Sequence, residues 1–451
     1  MNTENFLKKI EAAGLVGCGG AGFPTHVKWN TKNAQFLIVN AVECEPLLCT
    51  DRYLMRHFAP RIISACCQAA DTLGVSHTVI AIKRGYRAEI SALEEAISAT
   101  GAKITLHLLD AFYPAGDEQV VVQEVTGCTV PYGSIPLDVG AVVSNVATML
   151  AAADAVEDKP LVCKYITVAG EVGNPCIVKV PVGTPIMECI AAAGGTTTKD
   201  PIIVSGGPMM GKLVSPERQE DNLVTKTTSG LLVFPRESYM TVYKEPRAFA
   251  ALRRRAAASC IQCNYCTMLC PRHMLGHPLE PHRIMRTLAL GGELGQILPS
   301  NQTLQSAALC SVCGVCTTYA CPMGLQPSKV NAMLKEEMAR QGIRGQRGST
   351  EPDRNREMRK VPTERLISRL HIGKYEGQVG DELKTVMPGQ VSILLRQGGG
   401  KLPEPLVSVG DHVKANDLIA KIPDGAMGAN LHASIDGTVT EVADRITIVG
   451  R

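Results

Sequence analysis

The sequence predicts a multidomain α/β protein, and three patterns along its 451 residues support that prediction. Strand-like and helix-like segments alternate in the first third of the chain, which is typical of a mostly parallel sheet covered by helices. Two cysteine motifs lie between residues 260 and 321, and short strands separated by glycine turns occupy the C-terminal end. These patterns divide the chain into domains at residues 1–158, 159–245, 246–340 and 376–451, with a linker at 341–375.

Composition narrows the class of protein before any motif is considered. The net charge of +3 and the aromatic content of 4% argue against a large nucleic-acid surface. The first residues lack the basic and apolar regions of a signal peptide, and no run reaches the roughly 18 apolar residues of a membrane-spanning helix. Of the 17 cysteines, nine lie outside the two motifs, which suits a compartment where thiols stay reduced. We therefore expect a soluble, cytoplasmic protein without a transmembrane segment.

A glycine-rich loop comes after a short predicted helix at residues 3–13. Its glycines are Gly17, Gly19, Gly20 and Gly22. The loop formally matches G-x-G-x-x-G, but the dinucleotide fingerprint requires a strand before it and a helix after it. Here a helix precedes the loop and Phe23-Pro24 interrupts the next segment, so the ordinary Rossmann fingerprint is rejected. The glycines still let backbone N–H groups approach a phosphate or a flavin, and a plain surface loop is the alternative.

Alternation of strands and helices begins after this loop. Strands are predicted at residues 36–39, 78–82 and 104–109, and helices at 60–73, 86–99 and 117–125. Ligands in such folds bind at the carboxyl ends of the strands. The residues that come after the first and third strands there are Asn40, Glu43, Glu45, Tyr113, Gly116, Asp117 and Glu118. Acids and an amide beside a glycine loop suit ring nitrogens and ribose hydroxyls, although Asp117 is also a natural helix cap.

Four segments of this domain resemble, in the same order, the flavin segments of the NADH-binding subunit of respiratory complex I. They lie at residues 14–29, 40–46, 113–118 and 144–148. The resemblance implies a Rossmann-like FMN-binding domain whose flavin contacts are Gly17, Gly19, Gly20, Gly22, Lys28, Asn40, Tyr113, Gly116, Asn145 and Thr148. It implies that Phe23, Glu45 and Glu118 face the nicotinamide nucleotide. Glu43, Asp117 and Ser144 complete the candidate cofactor-binding set.

The sequence departs from that family at several positions. Val42 stands where complex I has an acid, and Cys18 stands where it has an arginine. Asp117 and Ser144 replace Glu and Asn. These differences concern the nucleotide and its orientation more than the flavin.

The middle domain shows a ββαβ order. A hairpin is predicted from residues 166–172 and 176–180, a helix at 184–193 and a further strand at 202–204. This order predicts a small β-grasp domain, and the segment resembles the SLBB modules found next to flavin domains. Ligand binding and an inert spacer both remain open for it. Met209-Met210 is interpreted as core, with a contact to a corrin ring as the alternative.

Two cysteine motifs predict two [4Fe–4S] clusters. They are Cys260-x2-Cys263-x2-Cys266-x3-Cys270-Pro271 and Cys310-x2-Cys313-x2-Cys316-x4-Cys321-Pro322. Three closely spaced thiolates can bind one cube, and the fourth cysteine, with proline directly after it, ligates the other cube in two-cluster ferredoxins. The predicted sets are Cys260, Cys263, Cys266 with Cys321, and Cys310, Cys313, Cys316 with Cys270. Paired zinc sites and disulfides are the alternatives, but zinc motifs usually show two pairs rather than a triplet.

The segments around and after these motifs complete the chain. The long spacing between Cys270 and Cys310 predicts an α-helical ferredoxin, in which His273, His277 and His282 are interpreted as satisfied surface histidines. Residues 341–360 lack periodicity and are interpreted as a mobile linker. The C-terminal segments at 405–413 and 431–440 resemble a barrel-sandwich hybrid of the biotinyl/lipoyl type. No lysine comes after a comparable hairpin turn, so we expect a structural role.

The order of these modules resembles the electron-input subunit of the Rnf electron-transport complex, known as RnfC, and, more closely, the cobalamin reductases of propanediol-utilisation microcompartments. A C-terminal position of the hybrid domain favours the second family. That resemblance implies FMN, two [4Fe–4S] clusters, NADH as donor and cobalamin as the acceptor, taken from Co(III) to Co(II) or Co(I). It also implies a cobalamin adenosyltransferase and a shell protein as partners, inside a bacterial microcompartment. An Rnf-type electron-input subunit and a non-enzymatic cluster scaffold are the alternatives.

Overall fold

The computed structural model describes residues 3–215 and 222–450. The elements of the N-terminal domain are α1 Thr3–Ala12, α2 Thr25–Trp29, β1 Phe36–Ala41, α3 Thr50–Leu73, β2 His77–Lys83, α4 Arg87–Thr100, β3 Ile104–Leu109, β4 Phe112–Tyr113, α5 Glu118–Thr126, β5 Ala141–Asn145 and α6 Val146–Val156. Strands β3, β2, β1 and β5 form a parallel sheet in that order. The predicted alternation is confirmed, whereas β5 and α6 were expected only as an apolar run.

Alternate residues of β1 enter two different cores, as the period of two in a strand requires. Leu37 and Val39 pack on one side with residues of α1, α3, α4 and α6. Ile38 packs on the other side with α5. Helices therefore cover both faces of the sheet, and the loops at the carboxyl ends of the strands remain available to form a site.

The middle domain is a mixed sheet with one helix in the predicted ββαβ order. Its elements are β6 Cys163–Gly170, β7 Cys176–Pro181, α7 Ile186–Ala192, β8 Pro201–Ser205, β9 Lys212–Leu213, β10 Gly230–Pro235 and α8 Tyr239–Lys244. The sequence did not predict β10, which lies between β6 and β8. It runs parallel to β6 and antiparallel to β8. Its residues are almost entirely buried, so no alternating pattern marks it as a strand.

The cysteine-rich domain is helical. Its helices are α9 Phe249–Ser259, α10 Tyr265–Met268, α11 Pro271–Met274, α12 Pro281–Ala289, α13 Leu294–Ile297, α14 Gln302–Gln305 and α15 Pro327–Arg340. Leu252, Ile284, Leu288 and Leu334 form part of its core, together with Cys270, Cys310 and Cys321. The helices between the two motifs agree with the expected α-helical ferredoxin.

The segment predicted as a linker lies against the N-terminal domain. Strand β11 Val361–Pro362 pairs antiparallel with β4, and helix α16 Thr363–Leu370 buries Leu366 and Leu370 in a shared core. Upstream of them, the buried Arg356 forms an ion pair with Glu124 of α5. These contacts hold the segment to the domain that carries the glycine loop.

Two small sheets form the C-terminal domain. The remaining strands are β12 Leu383–Thr385, β13 Gln390–Leu394, β14 Glu404–Pro405, β15 His412–Val413, β16 Leu418–Lys421, β17 Leu431–His432, β18 Gly437–Val442 and β19 Arg445–Gly450. The sheets have the orders β13-β19-β18-β15 and β14-β16-β17, whereas β12 pairs with β7 and extends the sheet of the middle domain. Within the described residues, the helices include none with the length and apolarity needed to span a bilayer.

Candidate functional site

The glycine loop presents free backbone donors. The amide of Gly17 donates to the Phe23 carbonyl at 2.9 Å, which closes the loop on itself. The amide of Cys18 donates to Thr148 Oγ1 at 3.0 Å and ties the loop to α6. Among the described residues, the amides between these anchors, at positions 19–21, have no acceptor, and a Cβ on Gly20 would meet nothing within 4 Å. Consecutive free N–H groups around open space fit a phosphate group such as that of FMN.

Two asparagines face each other where β1 and β5 end. Asn40 and Asn145 are partners in the parallel register. Asn40 Nδ2 donates to the Gly116 carbonyl at 2.9 Å. Asn145 Nδ2 donates to Asp51 Oδ2 at 2.7 Å, while its Oδ1 accepts from the Ala147 amide at 2.9 Å. The structure thus brings three of the four resembling segments together at one edge of the sheet.

Lys28 and Glu118 form an ion pair of 2.6 Å beside this edge. Both side chains are partly exposed, so a bound anion or a sugar hydroxyl can compete for either of them. Phe23, the predicted nucleotide contact, is also exposed. Ser144 is instead buried, and its Oγ accepts from Trp29 Nε1 at 3.0 Å, so its hydroxyl supports α2.

Glu43 and Asp51 are buried acids at the start of α3. The Glu43 carboxylate accepts from the amides of Asp51 and Arg52 at 3.0 and 3.2 Å. Burial and the neighbouring Asp51 charge raise the pKa of Glu43 to about 8. Burial likewise raises the pKa of Asp51 to about 6. This pair therefore tends to hold a proton near neutral pH.

Glu45 joins the N-terminal and middle domains. Its carboxylate accepts from the amides of Met209 and Met210 at 2.8 and 2.9 Å, and from the Tyr113 hydroxyl at 3.3 Å. Burial raises its pKa, and the nearby Lys244 charge opposes that rise. The oxygens that were predicted to face a nucleotide are thus engaged with the protein in this structure. The same contacts place Met209 in the core, in agreement with the interpretation from sequence.

Asp117 caps α5 and holds the cysteine-rich domain. Its Oδ1 accepts from the Gln119 amide at 3.0 Å, so the helix-capping alternative describes this atom. Its Oδ2 accepts from Arg272 Nη2 at 2.9 Å in a mostly buried ion pair. Sequence reasoning missed Arg272, although its position directly after Cys270-Pro271 placed it next to a predicted cluster ligand.

All 17 cysteines are free thiols in the structure, so no disulfide accounts for the two motifs. Four of them surround one cavity together with Arg272 and Gly314: Cys270, Cys310, Cys313 and Cys316. We call these four residues the inner cysteine group. This is one of the two sets expected for a cube, with Cys270 supplied by the other motif. All four are buried.

The outer cysteine group consists of Cys260, Cys263, Cys266 and Cys321. Burial raises the pKa of Cys266 to about 12, and its nearest thiol neighbours, Cys321, Cys263 and Cys260, contribute to that rise. This neighbourhood matches the second expected set. The three cysteines of the first motif are half-buried, in contrast to the inner group.

Donor geometry separates the cluster interpretation from the zinc alternative. In the described part of the chain, no three His, Cys, Asp or Glu side chains converge closely enough for a single ion. A zinc site needs four ligands at about 2.3 Å from one centre. Four thiols around a wider cavity fit a cube, whose irons sit at separate corners, and both cysteine groups are therefore suitable for iron–sulfur ligation.

Two of the three histidines near the motifs have protein partners. His277 Nε2 lies 3.0 Å from the Val130 carbonyl, and His282 Nδ1 lies 2.7 Å from Thr267 Oγ1. His277 is buried, so its predicted surface position is wrong, because the cysteine-rich domain packs on the N-terminal domain at this point.

Four family models match the chain in the order of these domains. They are described as a Nuo51 FMN-binding domain at residues 10–154, an SLBB domain at 165–213, a 4Fe-4S dicluster domain at 259–326 and an RnfC barrel sandwich hybrid domain at 380–451. The cobalamin reductase PduS of Salmonella typhimurium is 39% identical over 453 residues, which cover 100% of this chain and 97% of that protein. The chain belongs to the PduS cobalamin reductase family. PduS of Citrobacter freundii is 38% identical over 99% of this chain and 97% of its own.

The similarity to Rnf proteins is shorter than the similarity to PduS. The RnfC-type component of the Na(+)-translocating ferredoxin:NAD(+) oxidoreductase complex of Acetobacterium woodii is 32% identical over 279 residues, which are 61% of this chain and 59% of that protein. An NAD+-reducing [NiFe]-hydrogenase structure has a TM-score of 0.50 at 22% identity, over 77% of this chain and 64% of that chain. At that identity the likeness concerns the fold alone. The PduS relationship is the one that spans every domain.

Proposed function

We propose that this member of the PduS family transfers electrons from NADH, through FMN and two [4Fe–4S] clusters, to cobalamin, reducing Co(III) to Co(II) or Co(I). One contact carries the proposal. The hydroxyl of Tyr113, in a flavin-like segment, donates to the backbone carbonyl of Cys313, in the inner cysteine group, at 2.8 Å. The two predicted cofactor sites are therefore neighbours within one chain. FMN, when bound, accepts two electrons as a hydride and releases them singly, which suits clusters and a one-electron metal acceptor.

The residues of the N-terminal domain divide the work of holding FMN. The free amides at positions 19–21 would bind the phosphate, and Lys28 would add a positive charge. Asn40 and Asn145 would orient the ring system from the strand ends. The exposed Phe23 and Glu118 are available for NADH. Glu45, Asp117 and Ser144 support this arrangement through their protein contacts.

Burial gives the two cysteine groups different roles. The inner group is buried against the N-terminal domain, whereas the first-motif cysteines of the outer group are half-buried. Only the outer group can be approached by an acceptor as large as cobalamin. Exposed apolar side chains flank it, with Ile261 60%, Tyr265 51% and Met323 41% exposed. We therefore propose that the acceptor docks transiently on this outer face, which residues 261, 265 and 323 define.

The closing test is an anaerobic assay of the full chain loaded with FMN and iron, using NADH and cob(III)alamin. We expect flavin absorbance to bleach and cobalamin absorbance to change in step. Cys263→Ala should leave bleaching by NADH intact and stop cobalamin reduction. Cys128→Ala, at an exposed cysteine outside both motifs, is the matched control and should behave as wild type. Loaded protein whose flavin is reduced while cobalamin is not would refute the proposed acceptor.

A second function, the electron-input subunit of a membrane complex, is supported by the match to the RnfC-type protein over 61% of the chain. It predicts co-purification with membrane proteins. The PduS assignment instead predicts pull-down of a cobalamin adenosyltransferase and a shell protein, and a cytoplasmic location inside a microcompartment. Tagged protein isolated from its own cells distinguishes the two by the partners recovered.

A further inference from the structure

The C-terminal domain touches the glycine loop of the N-terminal domain. The amide of Gly399 donates to the Gly22 carbonyl at 2.9 Å. The backbones approach so closely here that a Cβ on Gly398 would lie 2.1 Å from the Gly22 oxygen. Residues far apart in sequence therefore share one backbone contact beside the free amides of the loop.

Lys226 of the middle domain makes a second connection. Its side chain is 1% exposed, and its Nζ donates to the carbonyls of Gly14 and Asn430 at 2.7 and 2.8 Å. Its own amide donates to Gln397 Oε1 at 2.9 Å. One buried side chain thus joins the residue that begins the glycine-loop segment to the C-terminal domain. Burial of an amine among carbonyls is favourable only while these bonds are made, so the geometry is tightly specified.

We propose that the C-terminal domain is a working part of the FMN site: residues 397–399 and Lys226 fix the glycine loop so that its amides at positions 19–21 stay aimed at the FMN phosphate. This rests on the flavin part of the proposed function and is independent of the acceptor. The role is one of positioning, because none of these residues needs to touch the flavin.

Conformational entropy gives the physical reason. A loop with four glycines in six residues loses more backbone freedom on ordering than an ordinary loop does. If that freedom were lost only when FMN binds, the affinity would fall by the same amount. Contacts that order the loop beforehand remove this loss from the binding step. A domain without a carrier lysine can thereby still contribute to cofactor binding.

Adjacent glycines provide a matched pair of variants. Neither Gly398 nor Gly399 has a left-handed φ, so alanine fits the backbone at both positions. Ala at 398 must push away the Gly22 carbonyl, whereas a Cβ at 399 meets nothing within 4 Å. We expect Gly398→Ala to weaken FMN binding by about tenfold. Gly399→Ala should keep the wild-type dissociation constant.

The measurement is FMN affinity of the full-length apoprotein by quenching of flavin fluorescence, with thermal unfolding of the same samples. Lys226→Gln and Lys226→Met extend it, because the glutamine amide keeps a donor group for the two carbonyls and methionine keeps none. We expect affinity to fall in the order wild type, Lys226→Gln, Lys226→Met. Affinities within about twofold of wild type for Gly398→Ala and Lys226→Met would overturn the proposal, even if their melting temperatures fell. Failure of wild-type protein to bind FMN would instead refute the proposed function.

Discussion

The hydroxyl of Tyr113 donates a hydrogen bond of 2.8 Å to the backbone carbonyl of Cys313, and both residues are buried. Tyr113 belongs to the segment after the third strand of the parallel sheet, and Cys313 belongs to the second cysteine motif. The bond therefore joins two sites that the sequence predicts separately. It also gives the inner cysteine group a fixed position relative to the strand ends.

Tyr113→Phe should loosen this junction without removing bulk. The change leaves the Cys313 carbonyl without that donor, and an unsatisfied buried acceptor costs about 1–3 kcal/mol. We expect a lower melting temperature and slower cobalamin reduction at an unchanged rate of flavin bleaching by NADH. Tyr319→Phe, at a partly buried tyrosine of the second motif, is the control. Equal behaviour of the two variants in stopped-flow spectroscopy would argue against a role of the bond in transfer.

Arg272→Met should destabilise the contact between the N-terminal and cysteine-rich domains. It leaves Asp117 mostly buried without its ion-pair partner, which costs about 3–5 kcal/mol. Arg283→Met breaks the exposed pair with Glu280 and should cost less than about 1 kcal/mol. Urea unfolding followed by near-ultraviolet circular dichroism compares the two. A smaller effect for Arg272→Met than for Arg283→Met is the contrary result.

Stability should depend on pH through Lys226. Burial lowers the pKa of Lys226 to about 7 from its ordinary 10.5, with Cys18 and His432 as its titratable neighbours. Between these two pH values the unfolded chain binds more protons at this group than the folded chain does, so stability rises with pH across that window. Lys226→Met lacks this contribution. The difference in melting temperature, wild type minus variant, should therefore grow as pH rises from the folded pKa towards the ordinary one, and a constant difference would contradict the assignment.

Iron should leave the outer cysteine group first. Its three half-buried cysteines are open to solvent, whereas the inner group is buried throughout. A chelator added to the oxidised, loaded protein should therefore remove iron in two phases of similar size. Cys263→Ala should abolish the fast phase and retain the slow one, as followed by iron release and electron paramagnetic resonance. A single phase in wild type would mean that the two groups are equally accessible.

Tyr265→Glu should weaken acceptor binding at the outer face. A carboxylate there disfavours an apolar corrin edge and leaves the buried sites untouched, so KM for cobalamin should rise several-fold at a nearly constant kcat. Met387→Glu, at an exposed apolar residue near the C-terminal domain, is the control. Steady-state kinetics measures both, with a small artificial acceptor as a second readout. A KM that changes equally in both variants would remove the outer face as the docking site.

Local patterns were sufficient for much of this protein. The spacing of three thiols and a CysPro pair predicted both cysteine groups, because a short loop limits which sulfurs can converge. Apolar strand segments and helical spacing in α4 predicted the parallel sheet. The glycine loop was found as a cradle because glycines in such number are needed only where backbone must approach closely.

Contacts between distant residues were decided by tertiary structure alone. The amides of Met209 and Met210 engage Glu45, Arg272 engages Asp117, and nothing in the local sequence of either acid announces its partner. Strand β10 escaped prediction because burial on both faces removes alternation. The approach of Gly398 to Gly22 likewise leaves no periodic trace. Sequence thus determined which residues can bind cofactors, and folding determined which of them remain free to do so, since a buried polar group must first satisfy its own hydrogen bonds.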